Sequence, residues 1–289
     1  LYRNKMLGCN LAIGLLMLGV SLSSDAESGT LGAQDVTALF DNTATEDARQ
    51  QALQDAEQLA DKKDAQALYL LGTLYAWGKR GPAKLVDEDD AKAARYLSNA
   101  VVGGQLDALP RLIEVELKLG EPREAAVWAV VNAHFSDLNR DEGSGVPDVE
   151  AGLAGNLLER CKKALGSAYD EKAVAGDAAA VINQFGLGGR HTATGSAPLS
   201  AKDIRAARLV LSQCAKAIVA PPSSPLFSAR LAFIIDERGS LVRVLLVDEQ
   251  PDSVPIESSQ LNKIKPKFSP SSTGSGDRYQ MFTVYHLDL

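Results

Sequence analysis

The sequence predicts an α+β protein, an α-helical hairpin-repeat domain followed by a small ββαβ domain, and three observations carry that expectation. From about Ala33 to Val219 the chain is rich in alanine, leucine and charged residues, with glycine and proline as punctuation, as packed helices require. Beyond Pro225, Arg230 to Ile235 and Leu241 to Val247 are dense in aliphatic, aromatic and β-branched residues, the composition of strands. Between the two styles stands the only proline cluster, Pro221-Pro222-Ser223-Ser224-Pro225. In extended geometry it reaches about 15 Å, enough to separate two domains.

Taken in order, residues 1–26 are expected to be a secretory signal. Arg3 and Lys5 form a positive start, Leu11 to Leu22 an apolar stretch, and Ser24-Asp25-Ala26 a small-residue cleavage pattern. The alternative is a membrane anchor over residues 6–22. That stretch makes about 25 Å of helix against a hydrocarbon core of about 30 Å, and it contains Asn10, which favours cleavage. The expected location is therefore the periplasm or the exterior, with inner-membrane anchoring as the alternative and no membrane span left once the signal is removed.

Residues 27–219 form the expected helical domain, with helices near 46–61, 64–78, 89–102, 106–119, 121–136, 147–165, 169–185 and 200–219. Small residues such as Gly72 and Ala93 let the second and third of these approach, while Leu71, Tyr75, Tyr96 and Leu97 fill the space between them. Trp77, Tyr96 and Trp128 read as core fillers more than as binding anchors. Cys161 and Cys214 are either a disulfide, closing a loop of about 53 residues for about 4 kcal/mol, or two buried thiols on packed helices.

After the linker at 220–227, residues 228–289 make the second domain. Asp236 to Gly239 is the hairpin loop, with Gly239 supplying the positive φ that a tight loop needs. Pro251 and Pro255 end the second strand, and Ile256 to Ile264 can form two turns of helix. Tyr279 to Leu289 alternates as a closing strand: Tyr279, Met281, Thr283 and Tyr285 face one way, and Phe282, Val284 and His286 the other.

Two stretches resemble known families. Phe233, Asp236, Gly239, Leu241 and Val244, then Phe268 and Pro270, then the strand from Tyr279 to Leu289, resemble the TonB C-terminal domain family over about a fifth of the chain. That resemblance implies a module whose last strand pairs with an extended segment of a protein partner in the bacterial envelope, such as an outer-membrane receptor. Tyr279, Met281, Thr283 and Tyr285 are then the expected binding edge. Four to six ladder bonds of roughly 0.5 to 1.5 kcal/mol each would make such binding weak and transient. The energy-transducing members keep an amino-terminal anchor with a functional histidine and a long proline-rich spacer. Here His134, His191 and His286 all lie far from the start and the proline cluster is short, which argues for an adaptor over a transducer, with a non-binding structural or enzymatic periplasmic protein as the further alternative. Residues 64–103, from Ala67-Leu68-Tyr69-Leu70-Leu71-Gly72 to Tyr96-Leu97-Ser98-Asn99-Ala100, resemble one SEL-one-like repeat, a relative of the tetratricopeptide repeat. Repeats of that class imply protein binding or scaffolding and no chemistry of their own.

Composition narrows the function further. A formal charge of −7 argues against nucleic acid, which demands a basic stripe. No catalytic, cofactor-binding or metal-ligating constellation is expected. Gly186-Leu187-Gly188-Gly189 follows no strand, and the acidic run Asp87-Glu88-Asp89-Asp90 suits a helix start. Lys263, Lys265 and Lys267 alternate beside Phe268 and suggest at most a patch for an acidic partner.

Overall fold

Local capping places most of the helices. In the computed structural model, residues 31–81, 84–141, 148–186, 200, 202–203, 205–207, 209–210, 226–250, 266–270 and 276–287 are described, without the side chains of 138–141, 148–151, 226–227 and 283–287. The helices are α1 (Ala33–Phe40), α2 (Glu46–Asp61), α3 (Ala65–Trp77), α4 (Asp90–Val102), α5 (Leu109–Leu119), α6 (Pro122–Asp141), α7 (Asp148–Leu165) and α8 (Glu171–Gln184). Thr45, Asp64, Asp89 and Asp170 each accept a hydrogen bond from a first-turn N–H of α2, α3, α4 and α8. Gly120 ends α5 in the left-handed conformation that only glycine adopts without strain. Further helical turns occupy 202–203, 205–207 and 209–210.

Consecutive helices pack on one another from α1 through α7, and α8 returns to α6. The α3–α4 pair shows why the small residues matter. A Cβ added at Gly72 would lie 2.6 Å from Leu97 Cγ, so the two helices meet at a distance only glycine permits. Tyr75 and Tyr96 stack beside that contact with centroids 5.9 Å apart. Replacing Gly72 by valine should cost about 1–3 kcal/mol through overpacking, read as a lowered urea midpoint with an unchanged slope.

The acidic run before α4 has local work. Asp89 caps the helix, while Glu88 pairs with Arg80 at 3.0 Å and Lys118 at 3.5 Å. Cys161 is a free thiol buried among Ile113, Ala125, Ala126 and Ala129. Burial pushes it up to about 11, so it is protonated at neutral pH and a poor nucleophile. Cys214, the other half of the expected pair, lies outside the described residues.

Strands β1 (Leu226–Ile235), β2 (Leu241–Gln250) and β3 (Arg278–Leu287) form one antiparallel sheet in the order β2-β1-β3. The fold is therefore α+β. β1 begins at Leu226, inside the stretch expected as linker, because Leu226 and Phe227 pair with Leu287 and His286. The expected helix at 256–264 falls outside the described residues.

One face of the sheet is not a separate core. Ala232, Ile234, Leu245, Val247, Tyr279 and Met281 belong to the same apolar cluster as α1 through α5, with Val131 and Phe135 of α6. Helix α1, unanticipated in the sequence, supplies much of this join: Val36, Leu39 and Phe40 are buried on one face, and α1 touches all three strands. An ion pair from Arg243 to Asp41 fastens β2 to the end of α1. On the other face Phe233, Phe268 and Phe282 interlock, with Phe233 6.2 Å from Phe268 and 4.6 Å from Phe282. Among the described residues no helix is long and apolar enough to cross a membrane.

Candidate functional site: the outer edge of β3

Among the described residues β1 is the central strand, and β3 pairs over its length with β1 alone. The register runs from Leu226↔Leu287 to Ile235↔Arg278, and no described residue pairs with the other edge. In an antiparallel strand, alternate residues direct their N–H and C=O outward, so an edge without a neighbouring strand offers donors and acceptors for pairing.

The hairpin that sets this sheet is built by the residues the sequence singles out. Asp236 accepts from the N–H groups of Arg238 and Ser240 at 2.9 and 2.7 Å through its carboxylate. Gly239 has φ +80°, and a Cβ there would stand 2.4 Å from the Phe268 carbonyl oxygen. The close approach allows the Phe268 N–H to donate to the Gly239 carbonyl at 2.6 Å. Phe268 is thereby delivered onto Phe233. Pro270 is exposed beyond it.

Of the four expected edge residues, Tyr279 and Met281 turn their side chains into the core shared with the helices. They can offer a partner only their main chain. Burial holds the Tyr279 hydroxyl far above its ordinary range, so it is neither exposed nor an acid. The side chains of Thr283 and Tyr285 lie outside the described set. The expected alternation holds where it is visible, since Phe282 points to the opposite face.

No family model matches this chain, and no curated protein or solved structure shows a significant likeness to it.

What fixes the sheet against the helices is a buried charged cluster that no local pattern announced. Arg111 of α5, with a fully buried side chain, donates from Nε to Asp248 Oδ1 at 2.8 Å. It donates again from its terminal nitrogen to Asp248 and to the Glu249 carbonyl. Arg230, the cross-strand partner of Asp248, pairs with Asp107 and lies 5.2 Å over the Tyr69 ring. Two guanidinium groups, of Arg111 and Arg230, are thus matched with two carboxylates, of Asp248 and Asp107. Burial, and then the charge of Asp248, hold the Tyr69 hydroxyl far above its ordinary range, leaving it no acid or base role at neutral pH. The available signals were an arginine among Leu109, Leu112 and Val115, and the polar Asp248-Glu249-Gln250 closing an apolar strand.

Among the described residues no group of three or more histidine, cysteine or acidic side chains is disposed to hold a metal ion.

Proposed function

We propose that this chain is a periplasmic or secreted protein–protein interaction adaptor. Its sheet binds an extended segment of an envelope protein by strand addition to β3, and its helices scaffold or bind a second protein. The observation that carries this reading is the outer edge of β3, unpaired among the described residues, on a strand whose residues 279–282 are buried on its two faces. Such an edge recognises main chain, with affinity from ladder bonds and little from side chains, which suits transient contacts. The resemblance of Phe233, Asp236, Gly239 and Phe268 to the TonB C-terminal pattern supports the same mode.

Adjacent residues of a strand point their N–H groups to opposite edges, so Thr283→Pro and Val284→Pro make an internally controlled pair. One breaks the ladder to β1 and lowers stability; the other leaves that ladder intact and removes a donor from the outer edge. Cross-linking mass spectrometry on envelope fractions should then show the stable variant losing the contacts that the unmodified chain makes through residues 278–287. The core shared by sheet and helices favours a second reading, in which the sheet is a structural cap. Full retention of contacts by the stable proline variant would establish that reading against strand addition.

A further inference from the structure

A second surface lies on the other side of the sheet. Lys202 and Arg205, from the helical turns at 202–210, face Lys267 across a groove of about 470 Å³ completed by Ala206, Leu209 and Pro266. In sequence Lys267 is more than sixty residues from Lys202 and Arg205, and only folding gathers them.

The two walls are tied together next to the groove. The Asp203 carboxylate accepts from the Ser269 N–H and from the Ser200 hydroxyl, and the two serine hydroxyls lie 3.0 Å apart. Lys267 itself sits in a bridge to Ser240, and the Phe268 N–H beside it bonds to Gly239. The carboxylate closest in sequence, Asp203, is thus committed to the tie. Among the described residues lining the groove, each charged one is a cation, in a chain whose formal charge is −7. Leu209, half exposed at 50%, and Pro266 add apolar surface between the charges.

We infer that this groove docks an acidic linear segment of a protein partner, its carboxylates meeting Lys202, Arg205 and Lys267 and an apolar side chain resting on Leu209. A local positive groove on a negative body steers and orients an acidic segment, while the rest of the surface repels it elsewhere. An anionic bilayer would meet the negative body as well as the groove, and nucleic acid needs a longer basic stripe than three residues. Lys267 bridges to Ser240 at the start of β2, and Arg278 at the start of β3 donates to the Ser269 carbonyl at 2.6 Å, so the groove lies at the hairpin end of the sheet, and the cross-link positions distinguish it from the length of β3. The inference therefore stands or falls independently of the function proposed above.

The test uses the full chain and a labelled peptide of alternating glutamate and leucine carrying a photo-cross-linker, read by fluorescence anisotropy at low salt. Matched glutamine–leucine and lysine–leucine peptides serve as controls. The acidic peptide alone should bind, and its cross-links should fall at 202–210 and 266–267. The combined variant Lys202→Gln, Arg205→Gln, Lys267→Gln should weaken binding at least about tenfold, as should raising the salt to about 0.5 M. All three side chains are exposed, so its melting curve should match that of the unmodified chain. Lys172→Gln, an exposed cation on α8, should leave the affinity unchanged. Equal binding of the glutamine peptide, unchanged binding by the triple variant, or cross-links at 278–287 would each overturn the assignment. So would co-sedimentation of the chain with phosphatidylglycerol vesicles through the same three cations.

Discussion

Arg111→Ala should destabilise the folded chain by about 3–5 kcal/mol, the range for removing one partner of a buried pair. The Arg111 side chain has no exposed surface, and its loss takes the donating guanidinium away from Asp248, a carboxylate that is nearly as inaccessible. It also removes the donor that meets the Glu249 carbonyl at the end of β2. Surface pairs in the same protein make the contrast. Arg123 with Asp177 at 2.6 Å is about half exposed on both sides, and such contacts contribute about 0–1 kcal/mol. Urea unfolding of the two variants, Arg111→Ala and Arg123→Ala, should separate them by several-fold in free energy. The paired replacement Arg111→Met with Asp248→Leu should recover much of the loss, since it removes both buried charges together. Equal midpoints for Arg111→Ala and the unmodified chain would mean that the cluster contributes nothing to holding sheet and helices together.

Ending the chain at Ala220 should have the larger effect, loss of cooperative folding in the helices that remain. Ala232, Ile234, Leu245, Val247, Tyr279 and Met281 fill the same core as the helices, and each large side chain among them contributes about 1.5–3 kcal/mol by its burial. Together they rival the total stability of an ordinary domain, about 5–15 kcal/mol. The same truncation uncovers the buried face of α1, with Val36, Leu39 and Phe40, and takes Asp248 away from Arg111. The shortened chain should keep helical circular dichroism, bind a hydrophobic dye and melt broadly. A sharp melt at the original temperature would instead show that the helices fold alone and that the sheet is an independent domain. The consequence for function is practical: partner binding through the sheet is better tested by single substitutions in β3 than by deletion.

Much of the helical architecture was legible because it is locally encoded. The helix expected at 46–61 is Glu46–Asp61, and those expected at 64–78 and 89–102 are Ala65–Trp77 and Asp90–Val102. Thr45, Asp64 and Asp89 cap them within three residues in sequence, so the signal needs no tertiary information. The hairpin was legible for the same reason, since Asp236 and Gly239 build its loop from their own neighbours. The strands proved longer than their apolar runs. β1 begins at Leu226 and β2 continues through Asp248, Glu249 and Gln250, polar residues whose place in the ladder depends on the partner strand and on Arg111.

By itself, then, the sequence determined the elements and their class: capped helices, a glycine-dependent hairpin, an alternating last strand and an acidic surface charge. Tertiary structure alone decided what these elements do to each other. Helix α1 is too short to be signalled by propensity and exists as the cover of a sheet nearly two hundred residues away. Tyr279 and Met281 are core because helices lie against that face, and among the described strands β3 stands at an edge because β1 occupies the centre. The meetings of Arg111 with Asp248 and of Lys202 and Arg205 with Lys267 share one physical reason for being invisible. A charge is placed by what the folded chain brings within a few ångströms, and sequence spacing does not carry that distance.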